Sequence, residues 1–149
     1  MSVIVWDGKC LATDRQANDG SMKWEAEKAW YLTDGVTGEV CIVSGVGMLG
    51  NILKMRDWFK TKERAALDIK SNTAELIVVT RQGLSVWSAN GTSVELSAPM
   101  AFGEGREYAL GAMAMGATAE EAVQIANEYS LHCGKGVSCY TLQGSKVVV

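Results

Sequence analysis

The side chains in this sequence best suited to bind metals or act as nucleophiles are four cysteines and a single histidine. They are Cys10, Cys41, His132, Cys133 and Cys139. No two cysteines form a Cys-x-x-Cys pair, and a single histidine gives little support to a zinc site. We therefore expect no metal and no cofactor, with the cysteines reduced and packed as small apolar residues.

Two short motifs suggest nucleophilic or phosphate chemistry but lack the context that such sites need. His132 and Cys133 would supply a base and a nucleophile, yet residues adjacent in sequence rarely present both side chains to one site. Gly103-x-Gly105 has the glycines of a phosphate-binding loop, but no Lys-Ser/Thr pair follows it and no βαβ unit surrounds it. Neither motif is expected to form a site of its kind.

Ser2 offers another kind of chemistry, nucleophilic attack by the first residue of a processed chain. Removal of Met1 is chemically accessible because the side chain at the second position is small. Ser2 would then carry a hydroxyl nucleophile and a free α-amine that can act as its general base. Taken alone, a small residue at the start of a strand is the simpler interpretation of Ser2.

Composition and charge restrict the partners and the compartment. The chain has 149 residues, 48% of them hydrophobic, and a formal net charge of −3. No basic stripe stands out, so we expect no nucleic-acid partner, and the basic residues within 54–64 should form the solvated face of a helix. The start of the chain is unlike a signal peptide and no apolar stretch reaches membrane-spanning length, which predicts a soluble, cytoplasmic protein.

The order of elements predicts a mixed α+β fold in one domain, residues 1–149. A hairpin is expected around Asp7-Gly8, with Asp14 closing its second strand. Residues 22–32 are ambiguous between helix and strand. Further strands are predicted at 39–44, 74–80, 84–88, 93–96, 138–142 and 146–149, and helices at 48–67, 106–115 and 118–129. Runs of strands with helices grouped between them favour two sheets with helices outside.

Several segments, in this order, resemble proteasome β-subunits and the bacterial HslV-type peptidases. SVIVWDGKCLATDRQA resembles their opening strand, turn and returning strand, and EKAWYL resembles their lysine-bearing strand. CIVSGVGMLGNIL resembles their glycine-rich turn into the first long helix, and MAFGEGREYALGAMAMGATAEEAVQIA resembles a turn followed by paired helices. The likeness covers nearly the whole chain, and short phage-encoded members look most similar. It implies a four-layer αββα sandwich of the N-terminal-nucleophile (Ntn) hydrolase type.

The resemblance assigns catalytic roles to three residues near the start of the chain. Ser2 replaces the family's N-terminal threonine as the nucleophile, and Asp14 takes the position of the catalytic acidic residue. Lys28 matches the catalytic lysine, with Lys23 as the competing assignment. A lysine ammonium beside the α-amine would lower the pKa of that amine and keep it neutral as a base.

The resemblance also assigns positions elsewhere in the chain, some with departures. Gly45, or else Ser44, would supply the backbone N–H of an oxyanion hole. Glu104 stands where the family has the serine of a Gly-Ser-Gly turn, and it could hold a protonated α-amine or raise that amine's pKa. Ser130 and Cys133 stand where the family has the Asp and Ser of an Asp-x-x-Ser element.

These assignments lead to two hypotheses about function. The first is a peptidase that acts on peptides or unfolded proteins through Ser2. The resemblance implies a homo-oligomeric ring, which an ATP-driven unfoldase could feed. The second is a catalytically inactive, ring-forming structural or binding protein, favoured by the departures at Glu104, Ser130 and Cys133. Retention of Met1 would favour the second hypothesis, because it blocks the amine.

Overall fold

The structure is a computed structural model that describes residues 3–70, 72–144 and 146–149. Within these ranges the elements are, in chain order, β1 (Ile4–Trp6), β2 (Cys10–Asp14), β3 (Gln16–Asp19), β4 (Met22–Glu25), β5 (Ala29–Thr33), β6 (Val40–Gly47), α1 (Leu49–Phe59), β7 (Ala74–Thr80), β8 (Gly83–Ser88), β9 (Ser93–Leu96), β10 (Met100–Phe102), α2 (Arg106–Ala114), α3 (Ala119–Tyr129), β11 (Val137–Thr141) and β12 (Lys146–Val148).

The elements divide into two compact units. Met1–Lys28 and Ala98–Val149 form one, called here the terminal unit, and Ala29–Ser97 form the other, called the central unit. The interpretation of the chain as one domain stays a prediction. No helix in the described ranges is long and apolar enough to cross a membrane.

The sheet of the terminal unit is antiparallel, in the order β10-β1-β2-β11-β12. The predicted hairpin between β1 and β2 is confirmed. Its turn contains Gly8 at φ +99°, a left-handed conformation that favours glycine. The Asp7 carboxylate accepts the N–H groups of Lys9 and Cys10 at 2.8 and 2.9 Å, which fixes the turn. Asp14 closes β2 as predicted.

Helices α2 and α3 cover one face of this sheet. Buried small residues of the helices, among them Ala109 and Ala122, pack in one core with Val5 and Ala12 of the hairpin. The predicted capping box of α3 is present, formed by Thr118 and Glu121. The N–H of Ala119 also donates to Asp7 Oδ2 at 2.9 Å, so the hairpin turn is tied to the start of α3.

The ambiguous segment 22–32 contains two strands rather than a helix. Its first part, β4, pairs with β3 in a separate hairpin, with Gln16 opposite Glu25. Its last part begins β5, which pairs with β6 in the central unit, with Ala29 opposite Ser44. Cross-strand pairing thus overrides the helix propensity of the segment.

The central unit is an antiparallel sheet in chain order, from β5 to β9, with α1 on β6 and β7. Ile52, Met55 and Phe59 are the buried residues of α1. The prediction that this helix continues to residue 67 is wrong, because α1 ends at Phe59. Beyond it, the Trp58 indole donates to the Ala65 carbonyl at 2.7 Å, which holds the following segment in a non-helical path.

Arg64 also differs from the prediction of a solvated helical face for residues 54–64. Its side chain is only 13% exposed and forms an ion pair with Asp34. The guanidinium lies 4.1 Å from the ring centre of Phe59 and donates to that residue's carbonyl at 3.0 Å. Arg64 is therefore a structural residue of the central unit, beyond the end of α1.

Candidate active site

Asp14, at the end of β2, has a fully buried carboxylate that accepts hydrogen bonds from four groups among the described residues. Oδ1 accepts from the Lys28 ammonium at 2.6 Å and from the Val3 N–H at 3.3 Å. Oδ2 accepts from the N–H groups of Gln16 and Gly134, both at 3.2 Å. Such a carboxylate is both compensated in charge and fixed in direction.

The turn after α3 reaches Asp14 because β11 pairs with β2. Val137 lies opposite Asp14 in that pairing, so the residues just before β11 pass the carboxylate. The Arg15 N–H donates to the Gly134 carbonyl at 3.0 Å and reinforces the contact. A Cβ at position 134 would lie 2.6 Å from Gln16 Oε1, so only glycine fits there without a shift.

Lys28 is the lysine that joins Asp14. It is 1% exposed, whereas Lys23 lies on the exposed strand β4 opposite Asn18. Burial lowers the pKa of the Lys28 ammonium, and the negative charge and hydrogen bond of Asp14 oppose that shift. Lys28 is therefore the lysine that contacts Asp14, in a buried ion pair of 2.6 Å, and its assignment as the catalytic lysine stays a prediction.

Ser2, the predicted nucleophile, lies outside the described residues. The residue after it, Val3, is fully buried in the core of the terminal unit. The Val3 N–H, which belongs to the peptide bond between residues 2 and 3, is one of the donors to Asp14. The assignment of Ser2 as nucleophile stays a prediction.

Cys133 is a buried thiol next to this network. A Cβ added to Gly105 would lie 2.7 Å from Cys133 Sγ and 3.1 Å from the Val3 Cβ, so these residues are close-packed. Burial raises the pKa of the Cys133 thiol to about 11, with the Ser130 hydrogen bond opposing the shift. Cys133 is therefore protonated near neutral pH and is a poor nucleophile there.

Glu104 and His132 face solvent at the edge of the same region. Their side chains are 59% and 60% exposed, and His132 Nδ1 lies 2.9 Å from Glu104 Oε2. The expectation that His132 and Cys133 do not act as a dyad stays a prediction. The negative charge of Glu104 still acts on Lys28: while burial lowers the pKa of the ammonium, this charge raises it.

Ser130 is the C-cap of α3 and supports the turn that carries Cys133. Its carbonyl accepts the Cys133 N–H at 3.3 Å, and its hydroxyl accepts the His132 N–H at 3.3 Å. Within the described ranges, no group of three or more His, Cys, Asp and Glu side chains could hold a metal ion.

Gly45 and Ser44 are buried residues of β6, in the central unit. Gly45 lies within the strand, and the turn into α1 comes later, at Gly47 with φ +110°. A Cβ on Gly45 would lie 2.6 Å from Ile52 Cγ2, so the close packing of α1 already requires a glycine. A role for its N–H in an oxyanion hole stays a prediction.

Sequence reasoning missed the backbone donors around Asp14. The N–H groups of Val3, Gln16 and Gly134 complete the carboxylate's hydrogen bonds, yet every non-proline residue has such a group. The one available signal was Gly134, a glycine in the loop before β11.

Neither a protein-family model nor a curated protein matches the sequence. Solved structures do match. BPH from Thiobacillus denitrificans aligns with a TM-score of 0.69 and 20% identity over 93% of this chain and 95% of that chain. It has also been solved in complex with epoxomicin. HslV from Trypanosoma brucei aligns with a TM-score of 0.64 and 18% identity over 92% and 95% of the two chains.

Anbu, an ancestral β-subunit, is a third structure of this kind. The protein from Yersinia bercovieri aligns with a TM-score of 0.68 and 11% identity over 99% of this chain and 86% of that chain. Anbu from Pseudomonas aeruginosa has been solved as a helical assembly. At these identities the likeness establishes the fold alone. It agrees with the sheets and helices of both units, and the predicted α+β class is confirmed: the chain has the proteasome-like Ntn-hydrolase fold.

Proposed function

We propose that this protein is a proteasome-like Ntn peptidase whose nucleophile is Ser2 after removal of Met1. The observation that carries the proposal is the buried Asp14–Lys28 ion pair of 2.6 Å. Asp14 Oδ1 also accepts the N–H of Val3, the residue joined directly to Ser2. A buried cation with a lowered pKa, whose carboxylate partner binds the Val3 N–H, suits a site that handles protons.

In the proposed reaction the neutral α-amine of Ser2 accepts the proton of its own hydroxyl while Oγ attacks the substrate carbonyl carbon. The oxyanion that forms accepts a hydrogen bond from the Gly45 N–H. The α-ammonium then protonates the leaving amine, the peptide bond breaks, and an ester remains on Ser2. Water, deprotonated by the same amine, hydrolyses this ester and restores the hydroxyl.

Lys28 and Asp14 have distinct parts in this scheme. The Lys28 ammonium disfavours a second positive charge nearby, so it keeps the α-amine of Ser2 in its neutral, basic form. Asp14 holds Lys28 in place and stabilises its charged form. The backbone donors on Asp14 in turn fix the direction of the carboxylate.

The proposed substrate and partners follow from the resemblance. We expect peptides or unfolded proteins as substrates, a homo-oligomeric ring, and delivery by an ATP-driven unfoldase in the cytoplasm. The compact length fits the short phage-encoded members. The helical assembly of Anbu is a precedent for self-association of this fold, in another geometry.

A second candidate, a catalytically inactive ring-forming protein, is favoured by the side chains that replace the family's residues. Cys133 is a protonated thiol, and Glu104 is a carboxylate bound to His132. A carboxylate near the α-amine would stabilise the ammonium form and weaken the amine as a base.

Intact-mass measurement tests the first requirement of the peptidase proposal. The purified protein should lack the mass of one methionine residue. Quantitative retention of Met1 would leave the α-amine acylated and would exclude the proposed mechanism.

Labelling with epoxomicin tests the nucleophile itself. An epoxyketone carries adjacent electrophilic carbons, which suits a residue that offers both a hydroxyl and an amine. The wild type and the control Ser93→Ala, a change at an exposed strand position, should gain one adduct, whereas Ser2→Ala should gain none. An adduct on Ser2→Ala would remove Ser2 from the role.

The same assay separates the two candidates. A processed wild type that stays unlabelled, while Glu104→Ser/Cys133→Ser becomes labelled, would identify an inactive protein whose fold retains a competent site. Labelling of the wild type would exclude the inactive candidate.

A further inference from the structure

Helices α2 and α3 of the terminal unit present an apolar surface bordered by acidic side chains, called here the acidic face. Its exposed residues are Glu107, Leu110, Met115, Glu121, Ile125 and Glu128. Met115 is 89% exposed and, with Ile125, lines a groove of about 540 Å³. Among the described residues, Glu107 and Glu128 form no ion pair, so the face carries uncompensated negative charge.

Helix α1 of the central unit presents the opposite combination, called here the basic face. Its residues are Leu49, Leu53, Lys54 and Arg56 of the helix and Lys60, which follows it; Leu53 and Arg56 are half-buried and the others are exposed. Asp57 pairs with Arg56 at 3.2 Å and with Lys60 at 3.4 Å, so one carboxylate serves two cations. Lys54 forms no ion pair with any part of the chain that the structure describes. The basic face therefore keeps a net positive charge beside exposed apolar surface.

The two faces match in spacing as well as in charge. On α1, Arg56 follows Leu53 by three residues, a rise of about 4.5 Å along the helix. On α3, Ile125 lies between Glu121 and Glu128, which are four residues before it and three residues after it. Leu53 set against Ile125 thus brings Arg56 close to Glu121 or Glu128, for either direction of the helix.

We propose that the acidic face of one copy of this protein binds the basic face of a second copy. This inference rests on the self-association in the proposed function and names the surfaces that produce it. The apolar side chains of α1 would enter the groove beside Met115. A symmetric contact between two acidic faces would instead oppose like charges, which is unfavourable.

A contact between different faces has a defined consequence for assembly. Each copy offers one face of each kind, so every bound copy presents a free face for the next. Such heterologous contacts produce rings if the rotation closes and open helical filaments if it does not. Because exposed charges contribute, the assembly should weaken as salt increases.

Charge reversal with rescue tests the interface. Two double variants each reverse the charge of one face: Lys54→Glu/Lys60→Glu and Glu107→Lys/Glu128→Lys. Each should raise the protein concentration at which half of the chains are assembled by about tenfold or more, which is the effect expected from losing a close pair of opposite charges. The combined four-site variant restores opposite charges and should return to within about threefold of the wild type. Lys9→Glu/Lys23→Glu changes net charge equally at exposed hairpin positions and should have no effect.

Sedimentation velocity at low and high salt gives the assembly curve, and circular dichroism checks that each variant is folded. Assembly that ignores both reversals, or a four-site variant that stays dissociated, would overturn the proposed interface. A wild type that is monomeric at all concentrations would do so as well.

Cysteine cross-linking distinguishes the two possible pairings of faces. Leu53→Cys mixed with Ile125→Cys should form a disulfide-linked dimer under mild oxidation, whereas Ile125→Cys alone should not exceed the wild-type background. Dimers of Ile125→Cys alone would indicate the symmetric contact and overturn the proposal. Epoxomicin labelling reports on Ser2 independently, so failure of the interface and failure of the proposed catalysis are separable.

Discussion

Replacing Asp14 by asparagine should destabilise the protein strongly, because an amide cannot accept all the hydrogen bonds of the carboxylate. Oδ1 faces Lys28 and Val3, and Oδ2 faces Gln16 and Gly134. Either orientation of the amide turns its NH2 group toward two donors. At about 1–3 kcal/mol for each buried donor left unpaired, Asp14→Asn should cost about 2–6 kcal/mol.

That loss is large against a total free energy of unfolding of about 5–15 kcal/mol for a typical protein. A second change should reverse part of it. In Asp14→Asn/Lys28→Met the NH2 group can turn toward the space that the ammonium has left, so the remaining oxygen accepts from the N–H groups of Gln16 and Gly134. The double variant should therefore be more stable than Asp14→Asn by about 1–3 kcal/mol, the contribution of one donor.

Urea unfolding followed by circular dichroism at pH 7 measures these differences, provided the slope with urea is unchanged. Asp19→Asn is the matched control, since this aspartate ends β3 but is exposed. Its effect should stay within about 0.5 kcal/mol of the wild type. An Asp14→Asn variant as stable as the control, or additive effects in the double variant, would refute the described network.

Three further predictions concern packing and titration. Gly105→Ala should destabilise the protein by about 1–3 kcal/mol, because the new Cβ would lie 2.7 Å from Cys133 Sγ. Gly111→Ala, on the open side of α2, should instead stabilise the protein by about 0.5–1 kcal/mol. Urea unfolding of both variants measures the two changes. N-ethylmaleimide at pH 8 should modify the half-buried Cys10 before Cys133. The Cys139 hydrogen bond lowers the pKa of Cys10, whereas burial raises the pKa of Cys133 to about 11. Peptide mapping that finds Cys133 modified first would contradict this prediction. Burial lowers the pKa of Lys28 below 10.5, so its proton is lost at lower pH in the folded state than in the unfolded state. The free energy of unfolding of the wild type, relative to Lys28→Met, should therefore rise with pH up to 10.5. A relative free energy that falls over this range would contradict the predicted sign.

Elements with local signals were predictable from the sequence. The Asp7-Gly8 turn and the Thr118–Glu121 capping box both depend on residues a few positions apart, and both are present. The strand Ala74–Thr80 has the predicted bounds, since its apolar run is continuous. Such features are set by nearby chemistry, so they need no knowledge of the tertiary structure.

Features that depend on distant contacts were not predictable. Helix α1 ends at Phe59, and the segment after it is held by the ion pair between Arg64 and Asp34, which are thirty positions apart in sequence. The second carboxylate oxygen of Asp7 caps α3 across 112 positions. At the candidate site, the family resemblance proposed Asp14 and Lys28, and the structure shows that the two form an ion pair. The backbone groups that hold Asp14 could be found only from the tertiary structure, the Gly134 N–H from the register of β2 and β11.

The buried pair at the centre of the site is a costly arrangement for a purely structural role. Removing two charges from water costs several kcal/mol per ion in general, and well-packed apolar residues often stabilise a core as well or better. The terminal unit has such an apolar core beside the pair, formed by residues that include Val3 and Val5. Its fold therefore has no evident need for a lysine that is 1% exposed. A buried ammonium with a lowered pKa, fixed by an oriented carboxylate, is the arrangement that the proposed proton chemistry of Ser2 would require.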